Sequence, residues 1–186
     1  MADYGITMNE IELKLNSNVV EDLYHSLLWK QEEKMSKQSI SILLHWYIKR
    51  GIDDRDQGRL KGPEKTNRDR GGGHVDQVVL LANLLGAGNI PYRILKVSNG
   101  HEEWHTLEAL VKNESEIQVI GVDAEKHYRF RQSSDYDGMY WRPCDPTHCR
   151  RAGRIEGLEK KDLIEKKKDG DRKHYEWKKI SDHILN

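Results

Sequence analysis

Apolar side chains recur at helical spacing twice near the start of the chain. Between residues 18 and 34, Val20, Leu23, Tyr24, Leu27 and Leu28 fall on one face, and Asn18 followed by Glu21 has the form of a helix start. Ser36 can cap a second helix with the stripe Ile40, Leu43, Leu44, Tyr47 and Ile48, and Gly51 can end it. Each helix has one apolar face, so the pattern predicts an N-terminal helical pair, residues 1–51, packed on a larger core. Residues 52–73 carry few apolar side chains and many charges, which predicts a long loop. Then Val75, Val78, Val79, Leu80, Leu81, Ala82, Leu84 and Leu85 cover most of a helix circumference. A helix apolar on nearly every side is a buried one, so it is expected at the centre of the fold.

Beyond Ile90 the period shortens to two. Residues 93–98, a turn at Asn99-Gly100 and residues 103–111 read as a strand pair. In its second strand His105, Leu107, Ala109 and Val111 share one face, and Trp104 lies on the other. Residues 116–122 and 126–131 read as two further strands, and residues 138–143 as another, ending at Pro143. A buried helix followed by an antiparallel meander makes the fold class α+β, with a core over residues 52–150. Residues 151–186 read as a charged, weakly helical segment carrying Leu158, Leu163, Ile164, Tyr175, Trp177 and Ile180.

Composition narrows the function. The 186 residues hold 31 basic and 31 acidic side chains, so the formal charge is zero, which argues against nucleic acid as a partner. No apolar run reaches the length of a membrane span, and the first residues lack the apolar core of a secretion signal. Two cysteines, Cys144 and Cys149, make no disulfide framework and suit a reducing compartment. Together these features predict a cytoplasmic protein with neither membrane nor nucleic acid as a partner.

Three polar positions stand out by their placement. His74 opens the buried helix directly after Gly71, Gly72 and Gly73; His105 sits on an apolar strand face; Asp145 follows a strand in Trp141-Arg142-Pro143-Cys144-Asp145-Pro146-Thr147. Each alone has a bland reading, as a helix-cap residue, a core histidine and a turn former. Together they supply a group at the positive end of a helix dipole, a base and a carboxylate that can fix the base's tautomer. Backbone N–H groups at Gly72 and Gly73 are candidate oxyanion donors. Arg93, Tyr140 and Trp141 read as structural, and Cys144 as an inert buried thiol.

His74-Val75-Asp76, the apolar helix, Ile90-Pro91-Tyr92-Arg93, His105-Thr106-Leu107-Glu108, Trp141 and Asp145-Pro146-Thr147, in this order, resemble the transglutaminase-like family. The resemblance spans roughly residues 70–148. It implies a papain-like core that hydrolyses or transfers amide bonds of a peptide or protein substrate through a Cys-His-Asp triad. His105 then takes the general base's place and Asp145 that of its orienter. Two departures accompany it. Asn89 stands where the family has Gly, and counting back from Arg93 places His74 where the family has its nucleophilic cysteine. An imidazole is a poor substitute for a thiolate in amide attack, so the chain is expected to be weak or inactive as a thiol enzyme.

A second reading treats His74 as a gain. His74, His105 and Asp145 form the two-histidine, one-carboxylate set that holds iron, or with variations zinc, and Asp76, His101, Glu108 and His148 are candidate additional ligands. A third reading is a non-catalytic binding module. The first needs no cofactor; the second needs Fe or Zn.

Overall fold

The computed structural model of the protein describes residues 5–29, 32–55, 58–98, 103–111, 140–147, 149–151, 154–155 and 181–185. Among the described residues the α-helices are α1 (Met8–Glu12), α2 (Glu21–Leu28), α3 (Lys37–Gly51), α4 (Pro63–Asp69) and α5 (His74–Ala87). The strands are β1 (Asp53–Asp54), β2 (Gly71–Gly72), β3 (Tyr92–Ser98), β4 (Glu103–Val111), β5 (Tyr140–Pro143), β6 (Cys149–Arg151), β7 (Arg154–Ile155) and β8 (Ser181–Leu185). The class is α+β, with the helices N-terminal and a four-stranded antiparallel sheet in the order β5-β4-β3-β8.

Helix α5 is the centre, as its composition requires. Every residue from His74 to Leu85 is buried. Its apolar positions share one core with Ile11 of α1, Tyr24 and Leu28 of α2, Ile40, Leu44 and Ile48 of α3, and Ile94, Leu107 and Ala109 of the sheet. The polar members of α5 are used to tie down chain. Asn83 Oδ1 accepts from Asn16 N at 2.6 Å and its amide donates to Lys14 O at 3.1 Å, so the segment after α1 is fastened to the central helix. At the other end Gly88 is obligatory, because a Cβ there would lie 2.5 Å from the Tyr24 hydroxyl. Asn89 then takes φ +48°, a left-handed conformation that Asn adopts more readily than other side-chain-bearing residues, which accounts for Asn in a place where Gly is expected.

Several expectations are corrected. The first helical segment starts as a 3₁₀ turn, Ser17–Val20, capped by Asn16 and not Asn18; the Asn16 side chain accepts from Asn18 N at 3.3 Å. Two expectations for α3 hold: Ser36 caps it, accepting from Ser39 N at 3.1 Å, and Gly51 is its last residue, with Ile52 as C-cap. The expected loop over residues 52–73 contains α4 and a short parallel pairing of β1 with β2, Asp53 opposite Gly71 and Asp54 opposite Gly72. Helix α4 has no apolar stripe to betray it; Gly62 at the N-cap, Pro63 at the first position, Glu64 in the first turn and Arg68 in the last are its only signals.

The described residues of the C-terminal segment, 151, 154–155 and 181–185, are strands, while Leu158, Leu163, Ile164, Tyr175, Trp177 and Ile180, which carry the helical reading, lie outside the described residues. β6 pairs with β7, and β8 runs antiparallel to β3 with Tyr92 opposite Leu185, Ile94 opposite His183 and Lys96 opposite Ser181. β3 has only β4 on its other side, so its open edge offers backbone groups that residues 181–185 satisfy. The strands expected at 116–122 and 126–131, and the turn at Asn99-Gly100, lie outside the described residues.

Candidate functional site

Residue 74 is the first residue of α5, after the N-cap Gly73, and its side chain is 4% exposed. Residue 145 follows β5. The chain there is pinned to β4 by a bond from Cys144 N to Leu107 O of 2.8 Å, and the Asp145 side chain is completely buried. These two anchorages bring His74 Nε2 and Asp145 Oδ2 to 2.8 Å. The other carboxylate oxygen, Oδ1, accepts from Thr147 N at 2.9 Å and from Thr147 Oγ1 at 2.8 Å. Donors thus converge on both oxygens, which suits an ionised carboxylate, an acceptor only. Toward an ionised carboxylate the His74 ring acts as an Nε2–H donor.

Helix α3 holds the turn that carries this carboxylate. His45 Nε2 lies 3.3 Å from Asp145 O, and Lys49 Nζ, one helical turn on, donates to Thr147 O at 3.3 Å. The two carbonyls flanking Pro146 are therefore both bound from one helix. Sequence reasoning passed over His45, which is 1% exposed, because it lies beside the apolar stripe of α3; its four-residue spacing from Lys49 on one face was the available signal.

His105 is buried on β4, with Leu107 and Ala109 on the same face as expected. It stands two residues from the Leu107 carbonyl that anchors Cys144. A direct bond to the Asp145 carboxylate comes from His74, the residue at the head of α5, where His105 was the histidine expected in that role. Among the described residues no three His, Cys, Asp or Glu side chains gather closely enough to hold a metal ion, so the set His74, His105 and Asp145 does not form the expected ligand cluster. Of the additional candidate ligands, Asp76 is committed elsewhere, His101 and His148 lie outside the described residues, and the Glu108 side chain is not described.

The oxyanion expectation for Gly73 is also corrected. Gly73 N donates to Asp76 Oδ2 at 2.9 Å, so this N–H caps the helix's own first turn and is not offered to a substrate. The second oxygen of Asp76 accepts from Lys61 N at 2.6 Å. Gly72 belongs to the β1–β2 pairing, its carbonyl accepting from Arg55 N at 3.1 Å. A Cβ on Gly72 would meet Asp76 Cβ at 2.7 Å and Thr66 Cγ2 at 3.0 Å, so glycine is there for close packing of α4, β2 and α5. Arg93 is buried on β3, opposite Glu108 in the register. Cys144 is buried.

Compared with known proteins, the sequence matches no family model and no curated protein. Among solved structures it is similar to a Parabacteroides distasonis protein described as a "putative protease", at 16% identity and a TM-score of 0.45. The match covers 54% of this chain and 23% of that one. No helix among the described residues is long and apolar enough to cross a membrane.

Proposed function

We propose that this α+β chain carries a transglutaminase-like amide-bond site, of hydrolase or acyltransferase type toward peptide substrates, in which His74 stands at the nucleophile's position. The observation that carries the reading is the 2.8 Å bond between His74 Nε2, at the head of the buried helix, and Asp145 Oδ2, in the Asp-Pro-Thr turn after β5. An imidazole bound to a carboxylate has a fixed tautomer, and the imidazolium that forms on proton uptake is stabilised. An imidazole held in this way is poorly equipped to attack an amide itself. His105 is the second imidazole of this reading, the base that would serve a thiol placed at position 74. The chain as it stands is weak or inactive in thiol chemistry.

The test is His74→Cys, followed with a small alkylating probe. The expected result is rapid labelling at the substituted position, well above the wild-type background from Cys144 and Cys149 and slowed at least tenfold by His105→Ala or Asp145→Asn. Labelling at the rate of an ordinary thiol, indifferent to both second substitutions, overturns the reading. A specific observation favours a second, non-catalytic reading: His74 is 5% exposed and Asp145 fully buried, as befits a structural staple between α5 and the turn after β5. That reading predicts a stability loss on breaking the pair and no activated thiol in the variant.

A further inference from the structure

We propose that His45 and Lys49 of α3 are positioning residues that set the tautomer of His74 through the backbone of the Asp145-Pro146-Thr147 turn. The inference rests on reading His74–Asp145 as the functional pair. The turn is rigid within itself, since Asp145 Oδ1 is closed onto Thr147 N and Oγ1 at 2.9 and 2.8 Å. Such a closed turn moves as a unit. What fixes the unit relative to α5 is external: the Cys144 N bond to Leu107 O on one side, and on the other the contacts of His45 Nε2 to Asp145 O and of Lys49 Nζ to Thr147 O, each 3.3 Å. The β5 ladder with β4 ends at Pro143 and the Cys144 N bond extends that hold by one residue, so this tether enters the turn from one end. Two contacts one helical turn apart on α3, on either side of Pro146, hold the turn from its other side. The carboxylate's second oxygen then meets His74 Nε2 at 2.8 Å. Supporting groups of this kind orient a reactive imidazole without touching it.

His45 fills its role only as an Nε2–H donor, because its partner is a carbonyl oxygen. A glutamine at position 45 offers an amide N–H from a side chain of similar reach, and a leucine offers none. For Lys49 the matching apolar replacement is methionine, which keeps the stem and removes the ammonium.

The experiment reads the His74 ring directly, by nitrogen NMR of the full-length protein labelled at histidine, with the thermal midpoint as a control for folding. The wild type and His45→Gln are expected to show His74 as one Nε2–H tautomer with a slowly exchanging, low-field ring proton. His45→Leu and Lys49→Met are each expected to broaden that proton, and the double variant to lose it and give mixed tautomers. A double variant that keeps the wild-type tautomer and proton overturns the proposal, as does a His45→Gln variant that loses them while folded. Where His45→Leu fails to fold, Lys49→Met combined with His45→Gln decides by the same signals: a retained, unbroadened ring proton overturns the proposal. The readout is the imidazole of the unaltered site, so a failed thiol-labelling test of His74→Cys leaves this result separately interpretable.

Discussion

Lys61 N donates to Asp76 Oδ1 at 2.6 Å, and the other oxygen of Asp76 is held at 2.9 Å by Gly73 N. One buried carboxylate in the first turn of α5 therefore captures both the residue that caps the helix and the strand of chain leading into α4. The Lys61 side chain closes the same corner, its Nζ donating to Gly71 O at 3.0 Å. A buried N–H that loses its acceptor costs about 1–3 kcal/mol. Asp76→Ala strands two of them, so a loss of about 2–6 kcal/mol is expected, read from the urea midpoint at unchanged slope. Asp76→Asn keeps one acceptor and should fall near half of that.

The glycine beside this carboxylate makes a second prediction. A methyl group on Gly72 overlaps Asp76 Cβ and crowds Thr66 Cγ2, both belonging to packed helices. Overpacking of this kind costs about 1–3 kcal/mol, the expected loss for Gly72→Ala. Thr66→Ser removes the Cγ2 methyl, so the double variant should be more stable than the sum of the two single losses. Strict additivity in denaturant unfolding would show that the methyl is accommodated without touching α4.

These two features also mark how far the sequence could be read. The central helix announced itself, because eight apolar residues around one circumference have no other stable placement. The strand 103–111 was legible from its alternation, and its bounds agree with β4. Helix α4 was not, because it buries Pro63 and Thr66 in place of an apolar stripe and is held by its ends. The pairing of 181–185 with β3 depends on an open sheet edge, a property of the assembled sheet that no local pattern records. At the site, His74 and Asp145 were legible as a juxtaposition, since position after glycines and position in Asp-Pro-Thr each point to an element end. That His74 bonds the carboxylate was not legible, because the turn's approach to α5 runs through backbone contacts such as that of Cys144 N to Leu107 O, which leave no trace in residue type.

Alkaline stability gives a third prediction. Burial pushes the Tyr92 phenol up from 10.0 to about 12. Tyr24 is raised as well, first by burial and then by the hydrogen bond and charge of Glu32, whose Oε1 accepts its hydroxyl at 2.8 Å. A phenol whose folded pKa lies above its unfolded one keeps its proton in the folded state while the unfolded chain releases it. Its contribution is whole below pH 10 and is lost as the pH rises toward 12. The slope is about 1.4 kcal/mol per pH unit for each such tyrosine. Tyr92→Phe should therefore match the wild type's pH dependence from pH 7 to 9 and lose stability less steeply between pH 10 and 12, retaining the share that belongs to Tyr24. Parallel curves across that window would contradict the buried-phenol account.

The last prediction separates the two halves of the Asp145 carboxylate. Oδ1 serves the turn, through Thr147 N and Oγ1, while Oδ2 serves α5, through His74 Nε2. Thr147→Val removes one neutral donor and leaves the backbone bond to Oδ1, so about 1 kcal/mol is expected. Asp145→Ala strands the buried His74 ring nitrogen and takes the acceptor from both part-buried Thr147 donors, so at about 1–3 kcal/mol for a buried group left unpaired its loss is expected to exceed that of Thr147→Val. His74→Ala leaves the carboxylate buried but still held by Thr147, so its loss should fall between the other two. This order, read from urea unfolding, is what a carboxylate clamped from two sides requires. A Thr147→Val loss as large as that of Asp145→Ala would mean that the turn, and not the bond to His74, carries the stability of this corner, and that His74 is held at the head of α5 by its helix alone.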